Sequence, residues 1–200
     1  MNKINNFIIP SVEETDGNRT KVYDIFSRLQ KDRIILLGMP IVDFTAAIVV
    51  AQLLFLESED SKKPIKMYIN SPGGDITAGL AIMDTMDLVA SPIYTYCVGQ
   101  CASMAAVLLA CGEKGHRQAL PSSRVLIHQP WSGGGGGQET DIQVQAKEIG
   151  RMRKLLEARI ASATGQPIEK VHQDCERDFI MTAEESVTYG IVDKVTTKRS

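Results

Sequence analysis

Histidine is scarce in this 200-residue chain: there are three, His116, His128 and His172, beside a single tryptophan, Trp131. Any imidazole chemistry must therefore be assigned to one of three positions. Cysteine is also sparse, and the spacing of Cys97, Cys101, Cys111 and Cys175 fits no zinc-ligand pattern, so no metal is expected. The first three lie in apolar surroundings and read as buried thiols of a reducing compartment, not disulfides. The chain lacks an excess of either charge: 22 basic against 24 acidic residues leave a formal net charge of −2, which argues against a nucleic-acid surface. Small basic clusters at Lys114, His116 and Arg117 and at Lys198 and Arg199 read as solvated loop and tail. No stretch is long and apolar enough to span a membrane, and residues 1–6 lack the apolar core of a secretory signal. A cytoplasmic protein without membrane association is expected. No G-x-x-x-x-G-K-[ST] phosphate loop occurs.

What is present is ordinary for a folded domain: 44% hydrophobic and 23% charged residues, enough for one domain with a substantial core. Residues 5–20 start apolar, turn at Pro10 and end polar, which predicts an arm or loop. Tyr23 to Leu29 has helical spacing, and Arg33 to Leu37 reads as a buried strand. Asp43 is placed to cap a helix from Phe44 to Leu56, apolar over most of its circumference and so expected to be buried. Ile65, Met67 and Ile69 alternate in a strand that stops at Asn70-Ser71-Pro72-Gly73-Gly74-Asp75. A helix from Ile76 to Val89, a strand from Ile93 to Val98, a helix from Met104 to Cys111 and a short strand from Arg124 follow. The longest helical pattern, Thr140 to Thr164, is closed by Gly165 and Pro167 and would be roughly 35–40 Å long. Its apolar stripe (Ile142, Ile149, Met152, Leu156, Ile160, widened by Val144 and Leu155) suits either packing on its own sheet or packing on another subunit. Thr182 to Glu185 has the form of a capping box, Gly190 that of a C-cap, and Ile191 to Val195 that of a last strand. Such alternation means an α/β fold, in which catalytic groups gather after strand ends.

Three strand ends carry candidate chemistry. Ser103 follows a strand and a permissive Gly99, has small neighbours in Cys101 and Ala102, and opens a helix. It is either an N-cap or a nucleophile beside unpaired N–H groups that can hold an oxyanion. A serine hydroxyl needs a base, and the base needs an acid to fix its tautomer. His128, at a strand end, is the candidate base; the acid stays open among Asp75, Asp141, Asp174, Asp178 and Asp193. Gly73 and Gly74 make either a plain turn or a place where substrate approaches backbone N–H groups. The run from Gly133 to Gly137 looks like a linker.

Four motifs, INSPGG (Ile69–Gly74), GQCASM (Gly99–Met104), IHQP (Ile127–Pro130) and ERD (Glu176–Asp178), stand in the order and spacing of the Clp protease proteolytic subunit, which the chain resembles from about Ile8 to Val195. The resemblance implies an α/β, ClpP/crotonase-like spiral of β-β-α units with a protruding "handle" helix. Residues 1–20 would form an axial-pore segment, 21–132 and 165–200 the head domain, and 133–164 a glycine-rich strand and the handle. By the same resemblance Ser103 is the nucleophile, His128 the base and Asp178 the acid, with the backbone N–H groups of Gly74 and Met104 as oxyanion hole. Gln138, Glu176 and Arg177 match positions that couple ring contacts to active-site alignment. Tyr68, Tyr96, Val98 and Leu120 would form a cleft for a partner ATPase, although Lys66 and Gln118 stand where aromatic residues often line it. The implied assembly is two stacked heptameric rings fed with unfolded polypeptide by an AAA+ unfoldase, with no cofactor in this subunit. Two other readings compete: a weakly active scaffold subunit beside a paralogue, and an acyl-CoA enzyme of the crotonase type.

Overall fold

The computed structural model describes residues 9–17, 19–131 and 136–198. β1 (Ser11–Asp16) and β2 (Arg19–Asp24) pair antiparallel, with Ser11 opposite Asp24 and Asp16 opposite Arg19. The described part of the expected arm is thus a hairpin, because Val12, Thr15, Thr20, Val22 and Tyr23 supply β-branched and aromatic residues on both sides of a turn at Gly17. It runs past residue 20 to Asp24, whose carboxylate then caps α1 (Ile25–Lys31) by accepting from the Phe26 and Ser27 N–H groups. Residues 1–8, which the arm expectation also covers, lie outside the described residues.

The main sheet begins with β3 (Ile34–Leu37), then α2 (Asp43–Glu59), β4 (Ile65–Ser71), α3 (Ile76–Leu88), β5 (Ile93–Ala102), α4 (Met104–Ala110), β6 (Arg117–Ala119) and β7 (Arg124–Ile127). The long α5 (Glu139–Thr164), α6 (Ile168–Asp174), β8 (Phe179–Thr182), α7 (Ala183–Tyr189) and β9 (Lys194–Val195) complete it. Strands run β3-β4-β5-β6-β9, all parallel, as helical crossovers between strands require. Alternation puts Ile65, Met67 and Ile69 on a fully buried face against Leu53, Ile82, Leu108 and Leu109 of the helices. No described helix is long and apolar enough to cross a membrane.

Five expectations change. β5 does not stop at Val98. Its pairing with β4 shifts from Ile69 opposite Cys97 to Ser71 opposite Cys101, so β5 carries two extra residues at Gly99 (φ +79°) and continues to Ala102. Beyond that irregularity it leaves β6 and pairs with β7. The N-cap of α2 is Val42, whose N–H bonds Thr45 Oγ1 (2.9 Å), and Asp43 is already the first residue of the helix. It is also one-sided: Ala46, Val49, Leu53 and Leu56 are buried, while Phe44, Ile48 and Phe55 face outward. Arg117 is no loop residue. It opens β6 at 3% exposure, with Nη2 and Nε on Asp193 (2.6 and 3.1 Å) and Nη1 on the carbonyls of Ala110 and Ala163. The last strand shortens to Lys194–Val195, since Ile191 and Val192 are buried in the turn before it.

At 26 residues α5 is ~39 Å long. Packing on the chain's own core holds for one half only. Leu156 and Ile160 are buried in the core, whereas residues 139–148 are exposed throughout, including Ile142 and Val144. Gly165 (φ +77°) ends it in the left-handed conformation, and the Thr182–Glu185 capping box and the Gly190 C-cap form around α7.

Candidate active site

Strand pairing alone brings the candidate residues together. Ala102, the last residue of β5, pairs with Leu126 of β7, and the Ser103 N–H extends that ladder to the Leu126 carbonyl (2.8 Å). β8 lies antiparallel on the other side of β7, with Ile127 opposite Phe179. The next step along that register sets His128 opposite Asp178. Ser103, His128 and Asp178 therefore stand in a row across three neighbouring strand ends.

Ser103 occupies the N-cap position of α4, but its hydroxyl makes no capping bond. Its backbone is at φ +56°, ψ −126°, a region that favours glycine and costs a residue with a Cβ about 1–3 kcal/mol. A capping serine would have neither property. The turn instead presents the hydroxyl at the end of the strand, as a nucleophile elbow does.

The Ser71–Asp75 loop lies directly against this turn. A Cβ on Gly73 (φ +85°) would sit 2.5 Å from the Ala102 carbonyl and 2.7 Å from Ser103 Cβ, and one on Gly74 would overlap the Ile41 carbonyl. Ile41 and Gly74 form an isolated parallel bridge that uses the Ile41 N–H (to Gly73 O, 2.9 Å) and the Asp75 N–H (to Ile41 O, 2.8 Å). That pattern leaves the Gly74 N–H outside the ladder, and the Met104 N–H, first in α4, has no acceptor within its helix. The Met104 side chain is buried over Gly79 of α3. Gly73→Ala must push the loop off the serine turn. It is expected to lower the melting temperature, read from a thermal melt.

Of the five candidate acids, three are committed elsewhere. Asp75 caps α3 through the Ala78 N–H (2.8 Å), Asp174 binds Lys170 Nζ (2.6 Å) and Tyr189 Oη (2.8 Å), and Asp193 pairs with Arg117. Asp141 lies on the exposed first turn of α5. Asp178 Oδ1 is 3.4 Å from His128 Nδ1, with the carboxylate side chain 66% and the imidazole 23% exposed. His116 stacks on Tyr94 and His172 bonds Glu157 Oε2 (2.9 Å), and neither is among the residues that line the cleft of Ser103.

Ser103, Met104, Gly74 and His128 line one end of a cleft of about 350 Å³. Its remaining wall is largely apolar, with Ile76, Val107, Ile127, Leu156 and Ile160. Asp178 stands behind the imidazole, outside the lining. Cys175 also lines the cleft, but burial, aided by the Glu157 and Asp174 carboxylates, pushes its thiol up to about 12, so it stays protonated and is no rival nucleophile. Sequence reasoning missed Trp131, Arg153 and Glu157 in this lining. The aromatic character of Trp131 three residues past His128 was a usable signal; the inward turn of Arg153 and Glu157 within a charged helix was not. Among the described residues no cluster of three or more His, Cys, Asp or Glu side chains is arranged to hold a metal ion.

The other expected positions separate. Gln138 is the N-cap of α5, at the far end of its exposed half, about 15 residues or roughly 22 Å along the helix from Arg153. Glu176 bonds Arg153 Nη2 (2.7 Å) next to the Asp178 segment, so within one chain Gln138 does not join it or Arg177. Gly133–Gly135 lie outside the described residues, and Gly136 and Gly137 are not in a strand. Tyr68, Tyr96 and Leu120 line a second cleft of about 590 Å³ with Lys66, Gln118, Tyr94 and His116, and Tyr68 stacks on Tyr96 at 4.5 Å. Val98 does not line it: the cleft stops short of the Gly99 irregularity, and Tyr94 supplies the further aromatic wall from β5.

Comparison with known families bears on the whole of this arrangement. The family model described as Clp protease matches residues 16–199, spanning the main sheet, both clefts and α5. The chain belongs to the Clp protease family, a family of peptidases.

Proposed function

We propose that the cleft is a serine endopeptidase site that cleaves peptide bonds through an acyl-enzyme at Ser103. The observation that carries this reading is the strained serine turn, free of any capping role, in one cleft with an imidazole backed by a carboxylate. Asp178 beside Nδ1 favours the tautomer with its proton there and leaves Nε2 as the base. Ser103 Oγ attacks the scissile carbonyl and gives its proton to His128, and the oxyanion is held by the Gly74 and Met104 N–H groups. His128 then protonates the leaving amine, and water repeats the sequence on the acyl ester. The apolar wall receives the side chain next to the scissile bond.

Assembly belongs to the same proposal. The outward apolar residues of α2 (Phe44, Ile48, Phe55) and the exposed half of α5 are surfaces for further copies of the chain. Two stacked heptameric rings with the sites enclosed is the arrangement we propose. The tyrosine-walled cleft is the docking place for an AAA+ unfoldase that delivers unfolded polypeptide, while short peptides enter unaided.

A fluorogenic peptide series varied next to the scissile bond tests the chemistry. Leu, Met or Phe there should give kcat/KM at least about tenfold above Asp or Lys, given roughly 1–3 kcal/mol for a buried apolar side chain. His128→Ala should lose turnover on every peptide. Equal cleavage of all peptides, or an active His128→Ala protein, would count against the assignment.

A further inference from the structure

The carboxylate that backs His128 is two-thirds exposed and 3.4 Å away, so burial does not hold it in place. Something else must fix the relative position of the chain segments that carry the two residues. Those segments are joined next to the pair: the Gln129 N–H donates to the Cys175 carbonyl (2.6 Å) and Gln129 Nε2 to the Glu176 carbonyl (2.9 Å).

One side chain from outside clamps this junction. Arg153 lies on α5 where the helix passes from its exposed half to its buried half, and its side chain is only 18% exposed. Nε bonds Glu157 Oε1 (2.6 Å), Nη1 bonds Gln129 Oε1 (2.9 Å), and Nη2 bonds both Glu176 Oε1 (2.7 Å) and the His172 carbonyl (3.3 Å). Glu157, buried on α5, closes the far side by binding His172 Nδ1 (2.9 Å). The guanidinium thus ties α5 to the residue after His128, to α6 and to the residue two before Asp178. A planar fork with five donors can meet several fixed acceptors at once; an ammonium cannot hold the same set.

We infer that Arg153 is a positioning residue for the peptidase reaction, acting through Gln129 and Glu176 to hold Asp178 against His128. This rests on the serine-peptidase reading above. Arg153 lines the cleft wall, but each of its guanidinium nitrogens is engaged by a protein acceptor, so its removal should act on the base more than on substrate binding.

The test compares Arg153→Met, Arg153→Lys and Glu176→Ala with wild type, using full-length assembled protein and a fluorogenic peptide. Arg153→Met should lower kcat about 10²-fold with KM changed less than about threefold. Arg153→Lys should recover only part of the rate. Glu176→Ala changes an exposed side chain and should fold normally, so it gives the same kcat-against-KM readout should Arg153→Met not fold. Wild-type kcat in whichever of these variants folds, or a loss that falls on KM and not on kcat, overturns the inference. A parallel Ser103→Ala sample separates the two levels: if it is inactive while Arg153→Met equals wild type, only the positioning role falls. If Ser103→Ala stays active, the peptidase reading falls, and the positioning role with it.

Discussion

Ser103→Ala is expected to reduce kcat for a short fluorogenic peptide by about 10⁵-fold or more, the scale of loss when a serine nucleophile is removed from a working triad. The assembly should remain intact, since the hydroxyl makes no capping bond that the fold would miss. A companion substitution sharpens the point. Ser103 is at φ +56°, so Ser103→Gly should relieve strain and raise stability by about 1 kcal/mol while being equally inactive. A serine kept as a cap would behave in the opposite way, with activity retained and a few tenths of a kcal/mol lost on going to glycine. Denaturation midpoints and turnover on the same three proteins decide between them.

Asp193→Asn is expected to cost about 3–5 kcal/mol of stability, because it leaves the buried Arg117 guanidinium without its counter-ion. At roughly 2–4 °C per kcal/mol for a chain of this size, the midpoint should fall by about 6–20 °C. The pH dependence follows from the same pair. Burial opposes the charge on Asp193, but the hydrogen bonds and charge of Arg117 outweigh it and hold the carboxyl below its usual value. A carboxyl depressed in the folded state contributes in full above the unfolded pKa of about 3.9 and loses that contribution as pH falls through the folded value. The gap between wild type and Asp193→Asn should therefore be constant near neutrality and narrow below about pH 4. Peptidase activity per folded molecule should not change, since Asp193 lies outside the cleft.

The serine and the histidine were legible because strand ends are. A glycine-permitted turn after an apolar run and a histidine closing another run are local signals, and parallel pairing of β5 with β7 then joins them. Asp178 was not legible from the residues themselves. Choosing it over Asp75, Asp174 and Asp193 needs knowledge of who holds each carboxylate, and Asp193 is held by an arginine 76 residues away. The same long separation hid Arg117, whose local neighbourhood of charges and glycines reads as loop. α2 misled for another reason: apolar residues all round predict burial, yet in a single chain only one side of the helix meets the core. The hairpin and the two extra residues in β5 arise from pairing between segments, which periodicity within one segment does not report.

Covalent labelling tests the central claim most directly. Incubating the assembled protein with a fluorophosphonate and mapping the adduct by peptide mass spectrometry should place it on Ser103, with labelling lost in Ser103→Ala and strongly slowed in His128→Ala. An adduct on another serine, or equal labelling of wild type and Ser103→Ala, would contradict the assignment of this cleft as a serine peptidase site.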